Sequence, residues 1–401
     1  MNLKQEIKKN ISPKFLGFYH YLWALVGALI FNFPAKNLII IGVTGTSGKS
    51  TTTDLITRIL EEAGEKVASI STIRFKLGEK EWENKYKMSM PGRCVIQKFL
   101  SQAKKAQCKY IVLEVTSEGI RQFRHKFIKF DTVVFTNLSP EHIESHGSFD
   151  NYRNEKLKLF RENNNAHIVN IDDENAKYFL DTPANKKITF GIKDAENIEL
   201  EEGATFSYRG LRFNLNLRGL FNIYNSLAAI TVARHYEVSF EICKRALEKA
   251  SGIAGRMEII SKNPTVVIDY AHTPEQLEAV YKTFSGKKLI CVLGSCGGGR
   301  DKWRRPVLGK IAKQYCKEIF VTNEDPYDED PMTIINEVAE TAGSNAKKVL
   351  DRKDAIKQAI KSAKPEDVVI ITGKGSEPWM CVANGKKIPW SDKKIAEEQL
   401  L

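Results

Sequence analysis

The stretch IIIGVTGTSGKSTTTDLITRILEEAG, residues 39–64, decides the fold of the first half of the chain. Its apolar run ends at Gly42, a turn rich in glycine and hydroxyl groups follows, and an amphipathic pattern comes after that. This order predicts a strand, a phosphate-binding loop and a helix, because backbone N–H groups at a helix N-terminus bind anions. Val43 stands where such loops usually have a glycine. The residues expected to contact nucleotide phosphates are Gly45, Thr46, Ser47, Gly48, Lys49, Ser50 and Thr51.

From residue 37 onward, apolar runs typical of strands alternate with helical patterns. The first series is NLIIIGV, KVASIS, YIVLEVT, TVVFTNL and HIVNID, all between residues 37 and 172. Such alternation is typical of a doubly wound, mostly parallel sheet. Residues 188–218 change to short β-rich runs, which predict antiparallel strands at a sheet edge, and a helical pattern returns at 222–236.

A second alternating series follows SGIAGRMEII and contains VVIDYA, KLICVLG, EIFVTN and DVVIITG. It predicts a smaller, Rossmann-like α/β domain. We therefore predict an α/β protein with three parts. These are an apolar helical segment at 1–36, a P-loop ATPase domain with a mostly parallel sheet at 37–252, and a C-terminal domain at 253–401. Ligands commonly bind in the cleft between two such domains.

The composition describes a basic but otherwise ordinary globular protein. The 401 residues are 42% hydrophobic and 27% charged, and the formal net charge is +12. The basic residues are spread along the chain without a nucleic-acid motif, so we expect small anionic substrates rather than nucleic acid. Seven cysteines without a CxxC pair suggest reduced thiols in a cytoplasmic protein. We expect a monomer.

The segment FLGFYHYLWALVGALIFNF, residues 15–33, is strongly apolar and follows several lysines. No small-residue cleavage site comes after it, which argues against a secretory leader. His20, Tyr21 and Trp23 interrupt the apolar run, which is barely long enough to span a bilayer. We expect a helix packed on the body of the protein. The alternative is weak attachment to a membrane surface, which suits aromatic and apolar residues beside lysines.

Three polar residues stand out in the predicted ATPase domain, where an open α/β sheet binds ligands at its strand ends. Glu114 ends YIVLE, His142 follows VVFTNLSP, and Lys156 comes fourteen residues later. A carboxylate after four apolar residues is costly to bury unless a cation accompanies it. Taken singly, each residue has a structural explanation: a helix cap for Glu114, a surface loop for His142 and a solvated helix face for Lys156.

An ordered series of motifs resembles the Mur ligase family, the ATP-dependent amide-forming enzymes of peptidoglycan synthesis. The series is GVTGTSGKSTT, EVTSEGI, FTNLSPEHIESHGSFDNYRNEKLKLF, GLFNIYNSLAAI, AGRMEII, VVIDYAHTPEQLEAV, GGGRDKWRRP, TNEDPYDEDP and ITGKGSE. It runs from residue 37 to the C-terminus, and EVTSEGI and DYAHTPEQLEAV are most similar to the MurE type. That type adds the third amino acid to UDP-N-acetylmuramoyl-L-alanyl-D-glutamate.

The resemblance implies an ADP-forming reaction through an acyl phosphate. A carboxylate of the acceptor attacks the γ-phosphate of ATP, and the incoming amine then displaces phosphate. By resemblance, Lys49 supplies positive charge, Ser50 and Glu114 hold one Mg²⁺, and His142 and Lys156 serve a second. A protonated lysine cannot bind a cation, and in the family the matching lysine is carbamylated by CO₂. We therefore expect a carbamate on Lys156.

The same resemblance implies the remaining substrate contacts. Asn225 would contact the phosphates of ATP, Arg256 would reach over from the second domain, and Asp269 would bind the ribose. The acceptor would be held by residues that offer hydroxyl, amide and guanidinium groups to carboxylate oxygens, namely Ser89, Ser117, Gln122 and Arg124. The incoming amino acid would be bound by Arg300, Asp325, Tyr327, Gly373 and Glu377.

Two departures from the family bear on the substrates. Members that use meso-diaminopimelate carry DNPR, whose arginine grips the distal carboxylate, whereas the matching run here is Glu324-Asp325-Pro326-Tyr327. Without that bidentate partner, lysine or another amine-bearing amino acid is at least an equal alternative to diaminopimelate. Residues 1–36 are too few to form the family's uridine-diphosphate domain, and the acceptor motif is reduced to Ser89-Met90-Pro91.

The prediction is thus a cytoplasmic ligase of MurE type, dependent on ATP and Mg²⁺, with a reduced N-terminus. Two alternatives stay open. One is the same chemistry on another carboxylate, such as a poly-γ-glutamate, cyanophycin-like or folate-type acceptor. The other is a non-catalytic scaffold that only binds nucleotide, against which the intact set of Lys49, Glu114, His142 and Lys156 argues.

Overall fold

A computed structural model describes residues 13–86 and 88–400 of the chain. Its contacts divide the chain into two compact units. The first comprises Met1–Pro140 and Ser148–Ser251, and the second comprises Glu141–Gly147 and Gly252–Leu401. The first twelve residues of the predicted N-terminal segment lie outside the described residues.

The main sheet of the first unit has eight strands within the described residues. In chain order they are β1 (Ile39–Thr44), β2 (Val67–Ile70), β3 (Arg74–Leu77), β4 (Lys80–Glu83), β5 (Tyr110–Glu114), β6 (Thr132–Phe135), β7 (Ala166–Asn170) and β8 (Lys186–Phe190). Their order across the sheet is β4-β3-β2-β5-β1-β6-β7-β8. The five predicted runs form β1, β2, β5, β6 and β7, which pair in parallel and confirm the predicted sheet. The hairpin of β3 and β4 was not predicted.

The residues predicted as an antiparallel edge of this sheet form a sheet of their own. Its strands are β9 (Glu196–Glu199), β10 (Ala204–Tyr208) and β11 (Leu211–Leu215), all antiparallel. Phe206 and Phe213 are fully buried on it, with ring centroids 5.0 Å apart. Since the small sheet packs on helices of the first unit, its apolar face is covered there, and the predicted edge position is wrong.

Helices of the first unit lie along the chain before, between and after these strands, together with one short helix of the second unit. They are α1 (Pro13–Ile30), α2 (Lys49–Glu62), α3 (Arg93–Lys105), α4 (Ser117–Arg121), α5 (Ile143–His146, which belongs to the second unit), α6 (Phe149–Arg161), α7 (Ala176–Leu180), α8 (Leu220–His235) and α9 (Phe240–Glu248). Helix α2 buries Leu55, Ile56, Ile59 and Leu60, which recur at helical spacing. The residues that face the sheet are thus the amphipathic positions that predicted this helix.

The second unit has a six-stranded sheet within its described residues. In chain order its strands are β12 (Glu258–Lys262), β13 (Thr265–Ile268), β14 (Leu289–Leu293), β15 (Glu318–Thr322), β16 (Ala346–Val349) and β17 (Val368–Ile371). Their order is β12-β13-β17-β14-β15-β16, and all pairs except that of β12 with β13 are parallel. A small hairpin joins β18 (Trp379–Val382) to β19 (Lys386–Pro389). This sheet matches the predicted Rossmann-like architecture.

Five helices accompany this sheet in the described part of the second unit besides α5. They are α10 (Pro274–Lys282), α11 (Arg304–Tyr315), α12 (Pro331–Ala342), α13 (Arg352–Ser362) and α14 (Asp392–Glu397). Fully buried aliphatic side chains from β14 and β17, such as Ile290 and Val369, pack against Ile356 of α13. The central strands are therefore held in place by a packed apolar core, which fixes the position of their carboxyl ends.

Two cysteines contradict the expectation of reduced thiols. Cys291 in β14 and Cys316, just before β15, form a disulfide. The two strands are parallel neighbours, which brings the sulfur atoms together across a sequence separation of 25 residues. The cysteines without a disulfide are Cys94, Cys108, Cys243, Cys296 and Cys381.

The apolar segment at 15–33 forms most of α1. This helix packs against α3, which confirms the predicted helix on the body of the protein. Across residues 13–86 and 88–400, no helix combines the length and apolar character needed to cross a membrane.

Candidate active site

The predicted phosphate loop joins β1 to α2. Gly48 precedes α2 with a φ of 79° and has no side chain to cap the helix. A Cβ at Gly48 would lie 2.3 Å from Oδ1 of Asn225, and one at Gly45 would lie 2.0 Å from Oγ1 of Thr136. Only glycine fits at these two positions. Helix α2 therefore begins with exposed backbone and no side-chain cap, which is the arrangement that phosphate binding requires.

Asn137, which sequence reasoning missed, fixes the middle of this loop. The backbone N–H of Thr46 donates to its carbonyl oxygen at 2.8 Å, and the N–H of Ser47 donates to its Oδ1 at 2.8 Å. These two N–H groups are therefore committed to holding the loop. Asn137 follows β6, the strand beside β1, so only knowledge of the strand order could have identified it.

A hydrogen-bond chain connects the phosphate loop to the predicted acceptor motif. The Ser50 hydroxyl donates to Glu114 at 2.8 Å, and Glu114 is only 2% exposed. The same carboxylate accepts from the N–H of Thr72 at 2.8 Å and from its hydroxyl at 3.0 Å. The Thr72 hydroxyl also bonds that of Ser89. Thr72 was not predicted, and it ties the two motifs together.

The two predicted catalytic lysines both reach the loop backbone. Lys49 Nζ donates to the carbonyl oxygen of Thr46 at 2.6 Å, and Lys156 Nζ donates to that of Gly45 at 2.7 Å. Lys156 is 1% exposed, and its Nζ lies 4.7 Å from the centroid of the Tyr152 ring. A solvated helix face is therefore the wrong interpretation of Lys156. Thr51, the last predicted loop residue, is buried in α2.

The predicted acceptor residues lie around α4. Ser117 begins this helix and is buried, while the Arg124 guanidinium donates to Oε1 of Gln122 at 2.7 Å. Arg93, which was not predicted, donates to the carbonyl oxygen of Gln122 at 2.8 Å. Desolvation lowers the pKa of Arg124, and desolvation followed by repulsion from Arg124 lowers that of Arg93.

Each of these two arginines keeps a nitrogen without a partner. They are Nη2 of Arg93 and Nε of Arg124, both buried and unbonded among the described residues. Two guanidinium groups held together away from water stabilise an anion. The pair therefore offers a site for a carboxylate or phosphate of an acceptor.

In the second unit, Asp269 follows β13 and is buried. Its carboxylate accepts the N–H of Met257 and that of Ala271, both at 2.6 Å. Burial raises the pKa of Asp269. Arg256 stacks over the Tyr270 ring, 4.2 Å from the centroid. Asp269 thus holds together the loops that carry the predicted nucleotide contacts of this unit.

Lys374 brings two of the predicted amino-acid-binding carboxylates together. Its buried Nζ donates to Oδ1 of Asp325 at 2.9 Å and to Oε2 of Glu377 at 2.6 Å. Asp325 also accepts the N–H of Cys381 at 2.7 Å. Lys374 stands inside the quoted motif ITGKGSE but was not singled out. Its position after β17 was the available signal.

Glu324, also missed as a site residue, lies beside the predicted Gly373. Its Oε1 accepts a hydrogen bond from the Cys296 thiol at 3.0 Å, and it is 2% exposed. Within the part of the chain that is described, its Oε2 has no hydrogen-bond partner. A Cβ at Gly373 would lie 2.0 Å from that oxygen. A buried carboxylate oxygen without a donor is costly unless a cationic ligand supplies one.

Two other predicted residues of the second unit, His142 and Arg300, lie close together. Nη1 of Arg300 lies 3.5 Å from Nδ1 of His142, which has a φ of 59°. Glu141 lies between two histidines, 3.5 Å from Nε2 of His142 and 2.9 Å from Nε2 of His272. Tyr327 packs its ring against Gly298, where a Cβ would lie 2.7 Å from the ring. The structure thus places His142 beside Arg300.

Comparison with known proteins decides the family. Residues 43–233 match the family model of the Mur ligase middle domain, and residues 255–375 match that of the Mur ligase glutamate ligase domain. The chain belongs to the Mur ligase family. The matched ranges include every predicted site residue except Glu377.

Individual relatives agree with this assignment. A UDP-N-acetylmuramoyl-L-alanyl-D-glutamate--2,6-diaminopimelate ligase of Syntrophomonas wolfei is 37% identical over 94% of this chain and 81% of the relative. The protein of that name from Aquifex aeolicus is 38% identical over 92% of this chain and 79% of the relative. A solved structure of a protein of that name has a TM-score of 0.61 and 28% identity, covering 91% of this chain and 78% of that one.

These findings confirm the predicted α/β fold and the predicted activity: this Mur ligase is an ATP-dependent, ADP-forming ligase. They remove the non-catalytic scaffold from the alternatives. The family uses ATP and Mg²⁺. The residues present fit both, since the glycine loop suits phosphates, and the Ser50 hydroxyl and Glu114 carboxylate are the hard oxygen ligands that Mg²⁺ prefers.

Proposed function

We propose that this ligase joins an amino acid to the D-glutamate carboxylate of a UDP-N-acetylmuramoyl-dipeptide-like acceptor, forming the third residue of a peptidoglycan stem peptide. The hydrogen-bond chain from Ser50 through Glu114 and Thr72 to Ser89 carries the proposal, because it couples the nucleotide loop to the acceptor motif. The names of the relatives support the choice of acceptor.

The proposed reaction has two steps. An oxygen of the acceptor carboxylate attacks the γ-phosphorus of ATP, and the bond to the β–γ bridging oxygen breaks to release ADP. The amine of the amino acid then attacks the acyl carbon, the carbon–oxygen bond to phosphate breaks, and the amine loses its proton to water. Lys49 orients the γ-phosphate, while Arg93 and Arg124 hold the acceptor's anionic group. Bound Mg²⁺ supplies positive charge that reduces repulsion between the two anions.

Ser50 and Glu114 would hold one Mg²⁺, and His142 and a carbamate on Lys156 would serve the other. The uncharged Lys156 amine would attack CO₂, form an N–C bond and release a proton. Among residues 13–86 and 88–400, no three His, Cys, Asp or Glu side chains cluster as a metal site. The burial of Lys156 beside the phosphate loop supports the proposal, since a carbamate there adds an anionic ligand at the loop.

For the amino acid, we propose a side chain that ends in an ammonium group, such as that of lysine. The unpartnered Oε2 of Glu324 would accept a hydrogen bond from the ammonium, and Arg300 would bind the main carboxylate. Diaminopimelate carries a distal carboxylate in addition, for which Tyr327 offers only a neutral phenol. The relatives named for diaminopimelate are 37% and 38% identical, which leaves room for a different side-chain pocket.

One assay tests acceptor and amino acid together. The full chain is incubated with ATP, Mg²⁺, UDP-N-acetylmuramoyl-L-alanyl-D-glutamate and pooled amino acids, and the products are weighed by mass spectrometry. We expect a tripeptide product and ADP release that depends on both substrates. If ADP were released only with a folate-type, poly-γ-glutamate or cyanophycin-like acceptor, the proposed acceptor would be wrong. The enzyme would then carry out the same reaction on that other carboxylate.

Tyr327→Arg is expected to raise kcat/KM for diaminopimelate relative to lysine by about tenfold or more, since a charge-assisted bidentate bond is worth about 1.5–3 kcal/mol. The ratio is measured by ADP release with each amino acid. Tyr208→Arg in the first unit is the matched control and should leave the ratio unchanged. A strong preference of the unmodified enzyme for diaminopimelate would contradict the pocket proposed here.

Glu324→Gln is expected to raise KM for lysine about tenfold to a hundredfold, because an ammonium then loses a charged acceptor worth roughly 1.5–3 kcal/mol. KM for the acceptor should change little. Glu318→Gln, at the other end of β15, serves as the control and should behave as wild type. Equal KM values for lysine in both variants would show that Glu324 does not bind the amino acid.

We also propose that the enzyme works as a monomer and contacts a membrane surface weakly through residues 15–33. Both proposed steps use residues of one chain, so no second copy is needed to complete a site. Sedimentation at assay concentration tests the first statement.

A further inference from the structure

The outer face of α1 exposes a continuous stripe of large apolar side chains. Their exposed fractions lie between 36% and 65%, and they recur at helical spacing: Phe15, Phe18, Tyr19, Leu22, Trp23, Val26, Leu29 and Ile30. A contiguous apolar surface of this kind marks an interaction site, whereas single exposed apolar residues do not.

The inner face of α1 is built mainly from small residues. Ala24 and Ala28 are buried, and a Cβ at Gly27 would lie 3.3 Å from Cys94 of α3. A helix that covers a core points its large residues inward. In α1 most of them point outward, so packing on its own unit leaves most of its apolar surface uncovered.

The helix on which α1 packs is strongly basic. Helix α3, on which α1 packs, carries Arg93, Lys98, Lys104 and Lys105 and no acidic residue. The lysines at positions 98, 104 and 105 are exposed and form no ion pair within the described residues. Two copies would repel each other through these charges, whereas an anionic surface would attract them.

We propose that the outer face of α1 lies in the plane of an anionic lipid bilayer, with its apolar stripe at the boundary of headgroups and acyl chains. The inference deepens the weak membrane contact of the proposed function and rests on it. Tyrosine and tryptophan favour this boundary because each has an apolar body and a polar tip. Basic residues on α3 add attraction to anionic headgroups.

The docked helix would hold the acceptor site at the lipid surface. Tyr21 on its inner side contacts Phe123 and Phe127, with ring centroids 6.1 Å and 5.4 Å apart. Phe123 stands between Gln122 and Arg124, both predicted to bind the acceptor. Docking would therefore place the predicted acceptor-binding residues one helix away from the lipid.

Co-sedimentation of the full chain with vesicles tests this docking. We expect binding to vesicles that mix phosphatidylglycerol with phosphatidylcholine, at least tenfold weaker binding to pure phosphatidylcholine, and weaker binding at high salt. Phe18→Ser with Leu22→Ser should lower binding at least tenfold. Leu350→Ser with Ile388→Ser, which are 49% and 48% exposed in the second unit, is the matched control and should bind as wild type.

Lysine substitutions on α3 test the electrostatic part of the proposal. Lys98→Gln with Lys105→Gln should weaken binding to anionic vesicles several-fold and reduce its salt dependence. Lys357→Gln with Lys361→Gln on α13 should not. Wild-type protein that stays in the supernatant at millimolar lipid would overturn the proposal. So would a dimer that Phe18→Ser with Leu22→Ser dissociates while vesicles bind nothing.

The ligase assay separates this proposal from the proposed function. Phe18→Ser with Leu22→Ser should keep wild-type kcat on a water-soluble acceptor while losing vesicle binding. Vesicle binding by a protein that makes no product with any acceptor would contradict the proposed function and leave the docking surface standing.

Discussion

Lys156→Ala is expected to lower kcat by about 10³-fold, the loss that follows removal of one preorganised group from a charge-stabilising site. The reason is the position of Nζ, buried and 2.7 Å from the carbonyl oxygen of Gly45 in the phosphate loop. ADP release in the presence of acceptor and amino acid measures the effect. Lys156→Met keeps most of the side-chain volume and separates loss of the charge from loss of packing.

Two further readouts identify the carbamate. Labelled bicarbonate should give a carbamate signal in the ¹³C NMR spectrum of wild-type protein and none in Lys156→Met. Acetate should restore part of the activity of Lys156→Ala by supplying the missing carboxylate. Lys158→Ala is the control on the same helix, because Lys158 is half-exposed and forms an ion pair with Glu155 at 2.6 Å. Full activity of Lys156→Ala would rule out the assigned role.

Arg352→Ala is expected to reduce the free energy of unfolding by about 3–5 kcal/mol, because it leaves a buried carboxylate without its cation. Arg352 and Asp392 are both buried and bonded at 2.9 and 2.7 Å. The guanidinium also donates to the carbonyl oxygen of Thr372 at 2.6 Å. Urea unfolding of the full chain, followed by circular dichroism, measures the loss as the unit that contains α13 and α14 unfolds.

The neighbouring Lys353 provides the comparison. Its ion pair with Glu398 is exposed, so Lys353→Ala should cost less than about 1 kcal/mol. Thr372 and Asn323, whose carbonyls Arg352 binds, directly precede Gly373 and Glu324. Folded Arg352→Ala should therefore also show a higher KM for the amino acid. A loss of stability no larger than that of Lys353→Ala would show that the buried pair contributes little.

The phosphate loop was predictable because its information is local. One strand, one glycine turn and one helix follow each other within residues 39–64, and the loop conformation depends on where glycine is required. The buried position of Lys156 was not predictable from its own helix. Lysine on an amphipathic helix is ordinarily solvated, and only the packing of α6 against the loop places Nζ at Gly45.

Other parts of the site depend on strand order, which local sequence does not determine. Thr72 meets Glu114 because β2 pairs with β5, and Asn137 meets the loop because β6 pairs with β1. Glu324 lies within the motif TNEDPYDEDP, but the motif does not show that one carboxylate oxygen lacks a partner. That property depends on the packing of the carboxylate against Gly373, which follows β17. The disulfide between Cys291 and Cys316 has the same origin, since it needs β14 beside β15.

The contact between α1 and the segment around Phe123 has a thermodynamic consequence. If α1 binds lipid as proposed, the same helix contacts lipid on one face and Phe123, between Gln122 and Arg124, on the other, so lipid binding and acceptor binding share one element. The coupling free energy between them is a single quantity, so lipid and acceptor must change each other's affinity by the same factor and in the same direction. Acceptor titrated into vesicle-bound enzyme would measure that factor from one side, and lipid titrated into acceptor-saturated enzyme from the other.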